Sequence, residues 1–409
     1  MTDSCTLKPS GVEGSVILNS HAAASNQHSA GSPHSGDNLP AGHDLPTGQN
    51  PPAGETLRSE ADLTNWLASF TPPPFRSHRI LRGGHLHTLI GAKKASTVQA
   101  IATTHQRHRI DLPDGDALVV HDNQPENWRP ENGSVLMIHG ICGCHSADYM
   151  IRFKRRLASS GIRTFRLDMR GCGDAGDLCQ TITHAGRSED VLTAIEFIGD
   201  LVDNASSPIG AVGVSLGGNQ LLLAAGRVGN GFHERPKAWS RVGPILAIAP
   251  PLDLQACSDA MQSPKLRFYN WYFIHHLLRR ASPALRQNPQ YQAALEQARP
   301  KKLRQFDRIF TAPLGGFESE SDYYHRSSAV NVIQDIQKPT LIVTAANDPL
   351  VPVSSFGPVR QAIESHASTS PVRLHVTAQG GHHGFLKTDR TSWADDLVAS
   401  YFDAGFASS

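Results

Sequence analysis

The chain has 409 residues, 39% of them hydrophobic, and carries 38 basic against 37 acidic side chains for a formal charge of +1. That apolar content suffices for a sizeable core, and the near balance of charge excludes a protein drawn to nucleic acid by its overall field. The six cysteines show no paired CxxC spacing, so they read as reduced thiols rather than a secreted disulfide scaffold or a zinc ribbon.

In chain order, residues 1–57 are rich in Ser, Gly, His, Pro and Asn and have almost nothing to bury, so they read as a disordered low-complexity tail. Val16-Ile17-Leu18 is too short for a signal peptide or a membrane span. The expectation is a cytoplasmic protein without an integral membrane segment, with peripheral contact with lipid left open. One folded domain is expected over 58–409, beginning with a helix capped by Ser59 that carries Leu63, Trp66, Leu67 and Phe70 along one face. "HRIDLPDGDALVVHD" reads as two strands turning at Asp114-Gly115.

Strand and helix signals then alternate: strands over 134–139, 163–169, 209–214 and 244–249, with helices over 147–160, 188–201 and 218–227 between and after them. After an interruption come the strand "PTLIVTAAND", a helix near 357–366, the strand "VRLHVTAQGG" and a helix over 392–402. The alternation predicts an α/β fold with a mostly parallel central sheet flanked by helices. The interruption, about 254–328, is helical, aromatic and basic and too long for a loop, so it reads as an inserted helical cap.

Ser215 stands between Gly213 and Gly217 where the apolar run 209–214 turns into an amphipathic helix. A lone G-x-S-x-G is weak evidence; at a strand-to-helix turn it is the place where a nucleophile elbow puts its serine. A serine hydroxyl needs a base, and the base needs a carboxylate to hold its tautomer. The chain order Ser, acid, His is met by Asp348 after one strand and His382 after another, both at strand ends where open parallel sheets gather catalytic groups. Asp253 and His383 are their rivals. The oxyanion donors are expected to be the N–H groups of Leu216 and Ile141, with Gly140 and Cys142 as alternatives to the latter. Cys142-Gly-Cys144-His145 is one local cluster that no second pair answers, so its thiols are read as small and buried, not as metal ligands.

The ordered blocks "GGHLHTL", "DGDALVVHD", "HGICGCHSADY", "RLDMRGCGD", "HAGRSEDV", "GVSLGGNQLL", "FDRIFTAPLGGF", "SDYYHRSS", "AANDPLVP" and "GGHHGF" resemble the YheT-like family of α/β-hydrolases, a group related to the abhydrolase-domain lipid hydrolases. The likeness runs from about Pro74 to Leu386. It implies an α/β-hydrolase fold and a serine hydrolase of carboxylic esters with no cofactor. Some relatives make or cleave medium-chain fatty acyl esters and others deacylate phospholipids. Nucleophile, acid and base fall on Ser215, Asp348 and His382. Two departures stand out: His87 occupies a position where the family usually has Gln, and the membrane anchor of many eukaryotic relatives has no counterpart, which argues against a membrane-resident lipid substrate.

The expected function is therefore hydrolysis of short- to medium-chain acyl esters, a small-molecule substrate, through an acyl-enzyme on Ser215. Acyl transfer to an alcohol, a non-catalytic binding module on the same fold, and a metal-dependent hydrolase using His85, His87, His382 and His383 are the alternatives. In the cap, Trp271 and Phe273 are expected to bind the acyl chain, while Lys265, Arg267, Arg279, Arg280 and Arg286 give it a basic edge.

Overall fold

Short β-branched and aliphatic runs separated by amphipathic helices leave each strand with two faces to bury, and the chain resolves this in three layers. The computed structural model describes residues 59–80, 83–91, 101–365 and 370–407; the tail expected over 1–57 lies outside them. An eight-stranded sheet has the order β1-β2-β4-β3-β5-β6-β7-β8. Its strands are β1 (Thr103–Asp111), β2 (Ala117–Pro125), β3 (Ser134–Ile138), β4 (Arg163–Asp168), β5 (Ile209–Val214), β6 (Val242–Ile248), β7 (Thr340–Ala345) and β8 (Val372–Thr377). β1 and β2 form an antiparallel hairpin with Asp111 opposite Ala117, and β2 runs antiparallel to β4; every later pairing is parallel.

The two-residue period of a strand divides the core. Leu136 and Ile138 of β3 join Ala211 and Ile245 against the helices α4 (Ser188–Leu201) and α5 (Leu216–Gly229). Val135 and Met137 point the other way, with Val212 and Leu246, onto α3 (Asp148–Ser159) and α14 (Trp393–Ala407). Each such aliphatic side chain removed from water contributes roughly 1.5–3 kcal/mol. At the start of the domain α1 (Glu60–Ser69) carries the Ser59 capping box with Asp62, and the rings of its Trp66 and of Phe70, just past its end, lie 5.1 and 5.2 Å from that of Tyr401. A helix α2 (Gly84–Gly91) that the sequence reading did not separate from its surroundings follows.

Between β6 and β7 the chain leaves the sheet to form α6 (Leu254–Ala260), α7 (Arg267–Arg279), α8 (Pro283–Gln287), α9 (Pro289–Gln297), α10 (Leu303–Phe306), α11 (Ala312–Leu314) and α12 (Glu320–Ser327). A π turn over Asp307–Thr311 joins α10 to α11. These helices share a small core of Ile274, Leu285, Tyr291, Ala294, Phe306 and Phe310. The helix α13 (Gly357–Ser365) then connects β7 to β8. No described helix is long and apolar enough to cross a membrane. Among the described residues, Cys142, Cys172, Cys179 and Cys257 are free thiols.

Candidate active site

Ser215 occupies the turn between β5 and α5 with φ 52° and ψ −120°. A non-glycine residue in that region costs roughly 1–3 kcal/mol, so the surroundings must enforce it. They do so by close approach: a side chain at Gly213 would run into the Gly217 carbonyl, and one at Gly217 into the carbonyl of His139. The Ser215 N–H donates to the Ile248 carbonyl at 2.8 Å and its own carbonyl accepts from Asn219 at 3.1 Å, so both sides of the turn are fixed.

His382 Nε2 lies 2.8 Å from Ser215 Oγ, and His382 Nδ1 lies 2.8 Å from Asp348 Oδ2. With Nδ1–H donating to the carboxylate, Nε2 is left to accept the serine proton. The other carboxylate oxygen of Asp348 accepts the N–H groups of Leu350 and Val351 at 2.8 and 3.0 Å, so the acid is held from both ends. Two supports were not legible beforehand. Thr88 Oγ1 accepts the His382 N–H at 2.9 Å, and Asn347 Oδ1 accepts the Gly381 N–H at 3.0 Å. Both fix the backbone of the histidine loop, and Thr88 reaches it from α2, nearly three hundred residues away in sequence.

The rivals have other employment. His383 takes φ 53°, packs its ring 5.2 Å from Tyr149, and is pushed down to about 3 by burial and by neighbouring His382, so it is neutral. Asp253 caps α6 by accepting the Ala256 N–H at 2.9 Å. Asp253→Asn, which keeps a good capping group, is expected to leave kcat within about threefold and stability within about 0.5 kcal/mol; turnover and a urea melt check both.

A cavity of about 170 Å³ opens at the serine, walled by Ile141, Leu216, Leu254, Met261, Phe273 and Phe310, with Ser215 and His382 in its surface. No hydrogen bond among the described residues engages the N–H of Ile141 or Leu216. The Gly140 N–H, by contrast, donates to Tyr149 Oη at 2.9 Å and is unavailable. Burial pushes the Cys142 thiol up to about 12, which leaves it an unreactive part of the wall. Arg280, just past α7, donates to the Gly143 carbonyl at 2.9 Å and so ties the cap to the loop that carries Ile141.

Trp271 corrects the sequence reading. It is 58% exposed and does not line the cavity, whereas Phe273 does. Two helical residues two apart point about 200° apart, so one cap helix cannot turn both inward.

The histidines proposed for a metal reading are separately engaged. His85 Nδ1 meets Tyr269 Oη at 3.1 Å, while buried His87 bridges Ser77 Oγ at 3.2 Å and the Leu386 N–H at 3.0 Å. A different set, His121, His145, Asp168 and Asp174, brings four ligand atoms within 4.8 Å of one another. The rings of His121 and His145, however, stack with centres 3.5 Å apart, whereas two imidazoles bound to one tetrahedral ion at ~2.0–2.1 Å hold their centres about 5 Å apart. The arrangement is a hydrogen-bonded network: Asp168 Oδ2 accepts from His121, His145 and the Asp174 N–H at 3.2, 2.6 and 2.9 Å. Burial alone would raise the Asp168 carboxyl, but the hydrogen bonds from both imidazoles outweigh it and hold it well below the carboxylate range.

A family model described as the alpha/beta hydrolase fold matches residues 133–389. The chain is 28% identical over 281 residues to YheT of Escherichia coli, named as a candidate esterase, covering 68% of this chain and 78% of that protein. It is 26% identical over 259 residues to phospholipase ABHD3 of Mus musculus, covering 62% of this chain and 58%, less than two thirds, of that one. Among solved structures, a Pyrococcus furiosus esterase is similar at 16% identity and a TM-score of 0.49, covering 76% of this chain and all of that one. With its eight-stranded, mostly parallel sheet and a family match spanning well over half its length, the chain belongs to the alpha/beta hydrolase fold family.

Proposed function

We propose that the protein is a serine-type carboxylic ester hydrolase acting through an acyl-enzyme. The observation that carries this reading is the hydrogen-bonded chain Ser215–His382–Asp348, 2.8 Å at each link, opening on an apolar cavity. In the first half-reaction His382 Nε2 takes the hydroxyl proton as Ser215 Oγ attacks the acyl carbon. The tetrahedral oxyanion accepts hydrogen bonds from the N–H groups of Leu216 and Ile141. Collapse expels the alcohol, which leaves with the proton from His382. Water then repeats the sequence on the acyl-serine and frees the acid. Asp348 orients the ring and stabilises the imidazolium.

The likeness to a candidate esterase and to a phospholipase supports the same bond type without fixing the substrate. A fluorophosphonate should add covalently to Ser215 alone, read by intact mass and peptide mapping, and p-nitrophenyl esters from C2 to C16 should be turned over with a chain-length optimum. No label at Ser215 and no turnover would remove the proposal.

The cavity wall sets the second expectation. Phe273→Ala enlarges the pocket, so kcat/KM should shift toward longer acyl chains, at about 0.8 kcal/mol or roughly fourfold per newly accommodated CH₂. Trp271→Ala should leave the chain-length profile unchanged. A uniform fall for every ester in F273A, tracking a lower Tm, would assign Phe273 to cap packing only.

A further inference from the structure

Helix α7 is two-faced. Phe273 and Leu277 line the cavity that holds Ser215. On its other side Phe268, Trp271, His275 and Arg279, spaced three, four and four residues apart, form one continuous stripe. The rings of Phe268 and Trp271 are 6.0 Å apart, Trp271 stacks on His275 at 5.4 Å, and Arg279 Nη1 lies 3.4 Å from His275 Nε2. Phe268 and Trp271 are 45% and 58% exposed, while Trp239 and Trp393 are almost wholly buried. Two neighbouring large aromatics left in water on one helix face are not explained by packing.

The charge around them is one-sided. From Ala260 to Leu295 the chain has no Asp or Glu but carries Lys265, Arg267, Arg279, Arg280 and Arg286. None of the five has a carboxylate within ion-pair distance among the described residues, although the whole chain is nearly neutral. Lys265, Arg267, Arg279 and Arg286 are exposed. A partner that suits this face must be anionic and must accept two aromatic rings at shallow depth. A bilayer surface meets both conditions, because Trp and Phe settle at the headgroup level while Lys and Arg meet anionic lipid. A stable protein interface would need a wider apolar centre than two rings rimmed by cations.

We infer that the outer stripe of α7 docks the protein on anionic lipid surfaces, so that the helix walling the cavity on one side rests on the membrane with the other. The inference stands apart from the ester-hydrolase reading, since docking is read without turnover. The full-length protein is sedimented with diether vesicles, which an esterase cannot cleave, made of phosphatidylcholine with or without about 30% phosphatidylglycerol. Binding is expected to the anionic vesicles only, and to fall sharply between about 50 and 300 mM salt. Tryptophan emission should shift to the blue on binding, and the shift should vanish in Trp271→Phe although that variant still binds. The double variant F268A/W271A should weaken partitioning by at least about tenfold, with turnover of a soluble ester unchanged, and R267E/R279E should abolish the preference for anionic lipid. Absence of binding to anionic vesicles, binding indifferent to F268A/W271A, or an emission maximum that does not move would each overturn the inference.

Discussion

Ser215→Ala is expected to lower kcat for a p-nitrophenyl ester by about four to six orders of magnitude and to leave the fold in place. The magnitude follows from what the variant keeps. On the proposed mechanism the N–H groups of Ile141 and Leu216 and the apolar cavity would still bind the ester and stabilise charge on its oxygen, but no atom would remain to accept the acyl group. Residual hydrolysis must use water, which is neither positioned nor activated by contact with His382 in the way Oγ is at 2.8 Å. The fold survives because alanine meets the same backbone demand at φ 52° that serine already bears. Steady-state kinetics with a matched thermal melt decide the matter; activity within tenfold of wild type would place the nucleophile elsewhere.

His382→Ala is expected to fall to nearly the same level, since the serine without its base is an ordinary alcohol. Asp348→Asn should cost less, roughly 10²- to 10⁴-fold. An amide at that position still meets Nδ1, but it can offer N–H instead of an acceptor and so favours the tautomer in which Nε2 carries the proton and cannot take another. The backbone N–H groups of Leu350 and Val351 that now bind the carboxylate at 2.8 and 3.0 Å keep the amide in register, so the defect should appear in kcat and not in Tm. His383→Ala is the control: a loss larger than that of His382→Ala would reverse the assignment of the base.

The central strands and the order Ser215, Asp348, His382 were legible in the sequence, because buried parallel strands read as short apolar runs and each of the three residues follows one of them within a few positions. What was not legible depended on distance or on phase. Thr88 and Asn347 support the histidine loop from segments whose own sequence carries no sign of that contact. Similarly, His121, His145 and the pair Asp168 and Asp174 come from three segments, and only the folded sheet brings them together. Trp271 and Phe273 looked equivalent because α7 has aromatic residues all around it, so its inward face could not be read from periodicity. The expected helices were right in kind but not in extent: the last runs to Ala407 instead of 402.

The bond from Arg280 to the Gly143 carbonyl bears on how far this enzyme could be reduced in size. The loop over 139–145 is pinned by groups from several layers: Tyr149 at Gly140, Arg280 at Gly143, and Asp168 and Arg166 at the N–H and carbonyl of His145. Excising the cap to make a minimal hydrolase would do more than unroof the pocket. It would cut one of these moorings and loosen the segment that carries Ile141, whose N–H is the proposed oxyanion donor. The truncated enzyme would therefore be slow even at saturating ester, and restoring substrate affinity by redesigning the pocket would not recover its turnover.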